Sequence, residues 1–209
     1  MTVVEALAAF TIAAGLLTLT PGLDTALILR TAAVEGPKRA VLAMAGIEAG
    51  CLCWGALAAF GVGAVLQASV LAFTILKWVG AAYLVWLGIN LILKPRDSFE
   101  VSTQGQASAG GDSTWMRRGF LSNMLNPKMG VFYVSFLPQF LPKGVPAAPF
   151  MLGLTGIHMV LGVVWLGLLI AATQPIARVL KRAAVVRWLD RVTGGVFVGF
   201  GLRLALDRR

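Results

Sequence analysis

Thr20-Pro21-Gly22-Leu23-Asp24 and Asn126-Pro127-Lys128 place a carboxylate, an amide and a cation beside prolines, inside otherwise apolar stretches. A proline removes a backbone donor and breaks the helix around it. In hydrocarbon the freed carbonyls then need partners from protein, water or a bound solute. Broken segments at corresponding places in two halves are where secondary transporters hold their solute, so a small transporter is the first expectation. Asp24 follows Thr20 by about one helical turn, and a carboxylate at that depth is retained for ion coupling or substrate binding. The alternative is that Asp24 caps the half-helix after the break. Asn126 can donate and accept, and Lys128 supplies a cation for a substrate carboxylate or for Asp24; the alternative for Lys128 is snorkelling to an aqueous surface. Together with half-helix dipoles, these groups would suit a zwitterion such as an amino acid.

Glu48 is a second deep acid, between Gly46 and Gly50. It either exchanges a proton during transport or pairs with a cation such as Arg30. His158 is the only histidine and is read as a satisfied helix contact, with proton relay as the alternative. Gln139, after Pro138, is placed to satisfy backbone freed by a further break, and Asn90 and Arg203 read as interfacial anchors. Cys51 and Cys53, two apart, point about 200° away from each other on a helix, so they read as packing residues. No metal-ligand spacing, Walker A sequence or G-x-S-x-G elbow occurs, and no cofactor is expected.

The elements that position these groups follow from composition. Of 209 residues, 58% are hydrophobic and 13% charged, with mean hydropathy +0.82. Soluble domains carry roughly 25% charged residues, so this chain belongs in a bilayer. A span needs about 20 apolar residues, and six such segments are visible, 5–29, 41–66, 69–93, 117–141, 147–173 and 188–206. The first lacks a basic leader and cleavage signal, and reads as a retained span. The expected fold is an all-α membrane protein, one domain over 1–209. Its six transmembrane helices form two inverted three-helix repeats, 1–93 and 117–209, with the first and fourth helices broken by proline. Residues 94–116, with Pro95, Asp97, Glu100, Asp112 and a Gln104–Gly111 polar tract, join them as a solvent-exposed linker.

Internal similarity supports the repeat. Gly80 to Leu91 aligns without gaps to Thr193 to Leu204, an offset of 113, and Pro21 aligns with Pro127 at an offset of 106. Three spans per half is odd, which requires inversion. Gly46-x-x-x-Gly50 and Gly195-x-x-x-Gly199 are expected at helix contacts, and glycine-rich faces would also suit a homodimer.

The net charge of +9 and pI near 10.4 reflect topology rather than nucleic acid, because the basic residues gather at segment ends. Arg30, Lys38, Arg39, Lys94, Arg96, Arg117, Arg118, Arg178, Lys181, Arg182, Arg187 and Arg191 all fall in the loops after the first, third and fifth segments. They make up twelve of 18 basic residues. Placing that side in the cytoplasm puts both termini outside. A five-span arrangement with one re-entrant segment is the alternative.

The two motifs resemble the T-P-G-P-D and N-P-K motifs of the LysE/RhtB family of bacterial amino-acid exporters. Similarity extends through Arg30-Thr31-Ala32 to Glu35-Gly36, the Gly80-Ala81-Ala82-Tyr83-Leu84 helix and Phe136-Leu137-Pro138-Gln139-Phe140. Leu23 departs from the second proline of the family motif, and Glu48 stands where the family is mostly apolar or small. The resemblance implies a bacterial inner-membrane exporter of amino acids or close derivatives, driven by protons. Thr20, Pro21, Gly22, Asp24, Glu48, Asn126, Pro127 and Lys128 would then form the substrate-binding or coupling site. A thiol-disulfide electron carrier would need a cysteine in each half, which the second half lacks. A divalent-cation exporter would draw on Asp24, Glu48 and His158, a meagre ligand supply.

Overall fold

A computed structural model describes residues 1–68, 70–95, 111–173 and 182–206. The described residues form helices joined by short turns, without strands. In chain order they are α1 (Val3–Leu19), α2 (Leu23–Val34), α3 (Pro37–Ala68), α4 (Val70–Leu93), α5 (Asp112–Met124), α6 (Pro127–Val131), α7 (Ala147–Ala171) and α8 (Ala183–Leu206). A π-helical turn, Phe132–Phe136, and a 3₁₀ turn, Leu137–Phe140, continue α6.

Local sequence sets most of these boundaries. Thr2 and Glu5 start α1 with a capping box, in which the Thr2 hydroxyl accepts from the Glu5 N–H and the Glu5 carboxylate from the Thr2 N–H. The helix stops at Thr20, whose backbone is extended (ψ 114°), because the residue before a proline is pushed out of the α region. The chain resumes as α2 at a bend of 51°. The second motif uses its proline differently. Asn126 is the N-cap of α6 and Pro127 lies in the first turn, where a missing N–H costs nothing. Pro138 falls at the change from π to 3₁₀ winding. As the sequence led one to expect, Gln139 Nε2 donates to backbone there, at Ser135 O, 2.9 Å away.

Among the described residues, Pro37–Gly61 and Ala147–Ala171 are each long and apolar enough to cross a membrane, and the bent pair α1–α2 qualifies as a broken span or re-entrant loop. Trp78 and Trp86 of α4, Val160 and Val164 of α7 and Trp188 of α8 are exposed large apolar side chains, as a lipid-facing surface requires. The buried core is aromatic. Phe10 of α1 lies edge-on to Phe140 at 5.3 Å, and Phe136 meets Phe200 of α8 at 4.6 Å, within the range of favourable aromatic pairs.

Glycines decide how closely helices approach. A Cβ on Gly119 of α5 would strike the carbonyl of Ala43 on α3, and one on Gly46 the carbonyl of Met116 on α5. The two backbones therefore cross in direct contact, as expected for Gly46. Gly195 and Gly199 depart from expectation, with nothing within 4 Å of an added Cβ. Their neighbours carry the contact instead: an added Cβ on Gly88 would lie 2.5 Å from Gly194 O, and one on Gly201 2.9 Å from Ala81 O. The linker is also shorter than expected, because Asp112 to Met116 already belong to α5. Arg96, Asp97, Glu100, the tract from Gln104 to Gly110, Arg178 and Lys181 lie outside the described residues.

Candidate functional site

The two proline breaks meet. Asp24, in the first turn of α2, points across to the end of α5 and the turn after it. Its Oδ1 accepts from Ser122 Oγ at 2.9 Å, while Oδ2 accepts from Asn123 Nδ2 at 3.0 Å and Asn126 Nδ2 at 3.5 Å. Asp24 therefore does not cap α2. The N-cap is Gly22, with no side-chain cap bond. Asn126 holds both sides of the junction, since its Oδ1 accepts from the Lys128 N–H at 3.1 Å.

Lys128 makes the return connection. Its Nζ donates to Leu17 O at 2.8 Å and Thr20 O at 2.9 Å, so it does not snorkel outward. These are carbonyls at the C-terminus of α1, left open by the break at Pro21, and a cation there also meets the negative end of the helix dipole. The Thr20 hydroxyl donates to Leu16 O at 2.8 Å and shares a short hydrogen bond with the Thr193 hydroxyl of α8. Each motif thus completes the other: the carboxylate of the first is held by amides around the second, and the ammonium of the second closes the helix end of the first.

A cavity of about 50 Å³ opens at this junction. Thr20, Gly22, Asp24, Glu48, Asn123, Asn126, Lys128, His158, Gly162 and Trp165 are among the residues lining it. By this measure it holds a few waters. All the expected site residues reach it except the two prolines, of which Pro21 is buried and Pro127 exposed. Glu48 is 7% exposed, and neither of its oxygens has a hydrogen-bond partner among the described residues. It makes no pair with Arg30. His158 is engaged, its Nδ1 lying 2.8 Å from the Tyr133 hydroxyl. Cys51 is buried and Cys53 exposed, on opposite sides of α3 as their spacing requires. Among the described residues, no three His, Cys, Asp or Glu side chains gather as a metal site would need.

Ser122, Asn123, Thr193 and Trp165 escaped the sequence reading. Ser122 and Asn123 stand three to four residues before Asn126, one helical turn, and that spacing was the available signal. Thr193 opens the aligned stretch of the second half, but nothing in its spacing points to Thr20.

A profile of the LysE type translocator family matches residues 16–208. Relatives are similar nearly end to end. A leucine efflux protein of Klebsiella pneumoniae subsp. pneumoniae is 34% identical, over 90% of this chain and 88% of its own. A homoserine/homoserine lactone efflux protein of Salmonella typhimurium is also 34% identical, over 96% of both chains. An uncharacterized membrane protein of Bacillus subtilis is 30% identical, over 93% of this chain and 95% of its own. No solved structure matches.

Proposed function

The chain belongs to the LysE type translocator family of membrane transporters, and from that premise we propose that it is a proton-coupled secondary exporter of neutral amino acids or close derivatives across the bacterial inner membrane. The observation that carries this reading is the mutual closure of the two proline breaks around one cavity, with Asp24 held by Ser122, Asn123 and Asn126. Such a junction can open only by exchanging those bonds for others, which gives a substrate or proton a way to change the packing of the two halves.

A substrate carboxylate suits the end of the cavity where α2 begins. Gly22 lines it without a capping side chain, and an added Cβ there would lie 3.8 Å from Lys128 Nζ. A helix N-terminus and an ammonium together favour an anion. The present cavity is too narrow for a whole amino acid, so loading requires the helices to part. Relatives named for leucine and for homoserine efflux support a neutral substrate. The proposed architecture is six spans in two inverted repeats, with both termini outside.

Purified protein in proteoliposomes tests the coupling. With a labelled neutral amino acid, a proton gradient is expected to drive accumulation against the substrate gradient, and collapsing it with an ionophore is expected to leave exchange alone. Accumulation insensitive to the ionophore would overturn proton coupling.

A further inference from the structure

We propose that Glu48 receives the ammonium group of the transported amino acid, in a subsite that α7 opens at Gly162 and Trp165; this rests on the export reading above and names the recognition chemistry of the same cavity. The carboxyl of Glu48 is more than nine-tenths buried, lines the cavity and has neither oxygen hydrogen-bonded among the described residues. Asp24, the other acid of the cavity, already has both oxygens engaged by Ser122, Asn123 and Asn126. Buried carboxylates are otherwise paired or hydrogen-bonded, so Glu48 is the acid of the cavity left to receive a ligand among the described residues.

Gly162 lies directly opposite: a Cβ there would fall 2.5 Å from Glu48 Oε1, so the absence of a side chain is what lets the carboxyl lie against α7 at the edge of the cavity. His158, Gly162 and Trp165 recur at helical spacing on the face of α7 that lines the cavity. Asn123 Oδ1 is a further buried acceptor without a partner. Trp165 Nε1 is a buried donor without a partner among the described residues, so the lining offers a carboxyl and an indole N–H to a ligand that carries both an ammonium and a carboxylate. A site built to answer donors rejects a ligand that lacks them, because its own polar groups are then left unpaired.

Substrate counterflow in proteoliposomes tests this with labelled leucine, threonine and homoserine. Each is competed with its unlabelled amino acid and with the 2-hydroxy acid of the same side chain. For the wild type, the amino acid is expected to compete at least about tenfold better than the hydroxy acid. Glu48→Gln should lose counterflow at least about tenfold and lose most of that discrimination. Glu48→Asp, which keeps the charge, should recover part of both, and Gly162→Ala, which crowds the carboxyl, should lower discrimination. Wild-type counterflow and discrimination in Glu48→Gln would overturn the proposal, including the case in which only gradient-driven transport is lost and Glu48 serves the proton alone. If Glu48→Gln does not insert, full discrimination in Gly162→Ala overturns it equally. A wild type that moves none of these amino acids would overturn the export reading and this inference together.

Discussion

At residue scale, Asp24 and Lys128 each reach across to the other proline break, Asp24 to Ser122, Asn123 and Asn126 and Lys128 to the carbonyls of Leu17 and Thr20. The prolines made the breaks legible, because their chemistry is local. The partners were harder to read: Ser122 and Asn123 lie on the helix before the second proline, and only the residues beside the prolines stood out. Replacing Asp24 with Asn sets amide donors against the Asn123 and Asn126 amides and removes charge-assisted bonds worth about 1.5–3 kcal/mol each. At about 1.4 kcal/mol per factor of ten, transport by Asp24→Asn should fall about 100-fold, with the protein still present in the membrane; radiolabelled efflux at matched expression measures it. Lys128→Met leaves Leu17 O and Thr20 O without their donor, at about 1–3 kcal/mol for each buried carbonyl. A chain of this size loses about 2–4 °C per kcal/mol, so its melting temperature in detergent should drop by about 5 °C or more.

Among the elements, the apolar segments set out from sequence recur as helices, with α3, α5 and α8 starting earlier than expected and the first and fourth interrupted at their prolines. Which glycines touch a neighbour was not legible, since contact depends on how two helices cross and not on spacing within one. Gly119 and Gly195 form a controlled pair. Gly119→Ala drives a methyl into the Ala43 carbonyl, a backbone collision that overpacking places at about 1–3 kcal/mol, whereas Gly195→Ala meets nothing within 4 Å. Thermal denaturation should show a clear loss for the first and none for the second. The start of α5 is tied to α3 by Lys38 Nζ and Asp112 Oδ2, 2.7 Å apart. Hydrogen bonding to Lys38 holds the Asp112 carboxyl below its usual range. That contribution is therefore present above the normal carboxylate pKa and lost as pH falls through the lowered one. The pair is exposed, so Asp112→Asn should shift stability little, and less still at high salt.

Across the whole molecule, the contacts of α4 and α8 are reciprocal. Gly88 meets Gly194 and Gly201 meets Ala81, and under the offset of 113 residues each pair maps onto the other. A two-fold relation between halves predicts this reciprocity, which was legible in part from the aligned sequence. The direction of insertion rests on the basic loops, and a reporter fused after Arg209 is expected to read outside; a cytoplasmic signal would reverse the orientation. The breaks meet because distant parts of the chain fold onto each other, which spacing along the sequence could not reveal. The account's central claim is that this junction is where an amino acid is carried. Counterflow of labelled leucine, homoserine and threonine in proteoliposomes, for the wild type beside Asp24→Asn, tests it most directly. The account predicts rapid counterflow of at least one of them by the wild type and its near-complete loss in the variant; equal counterflow in both proteins, or none by the wild type, would contradict it.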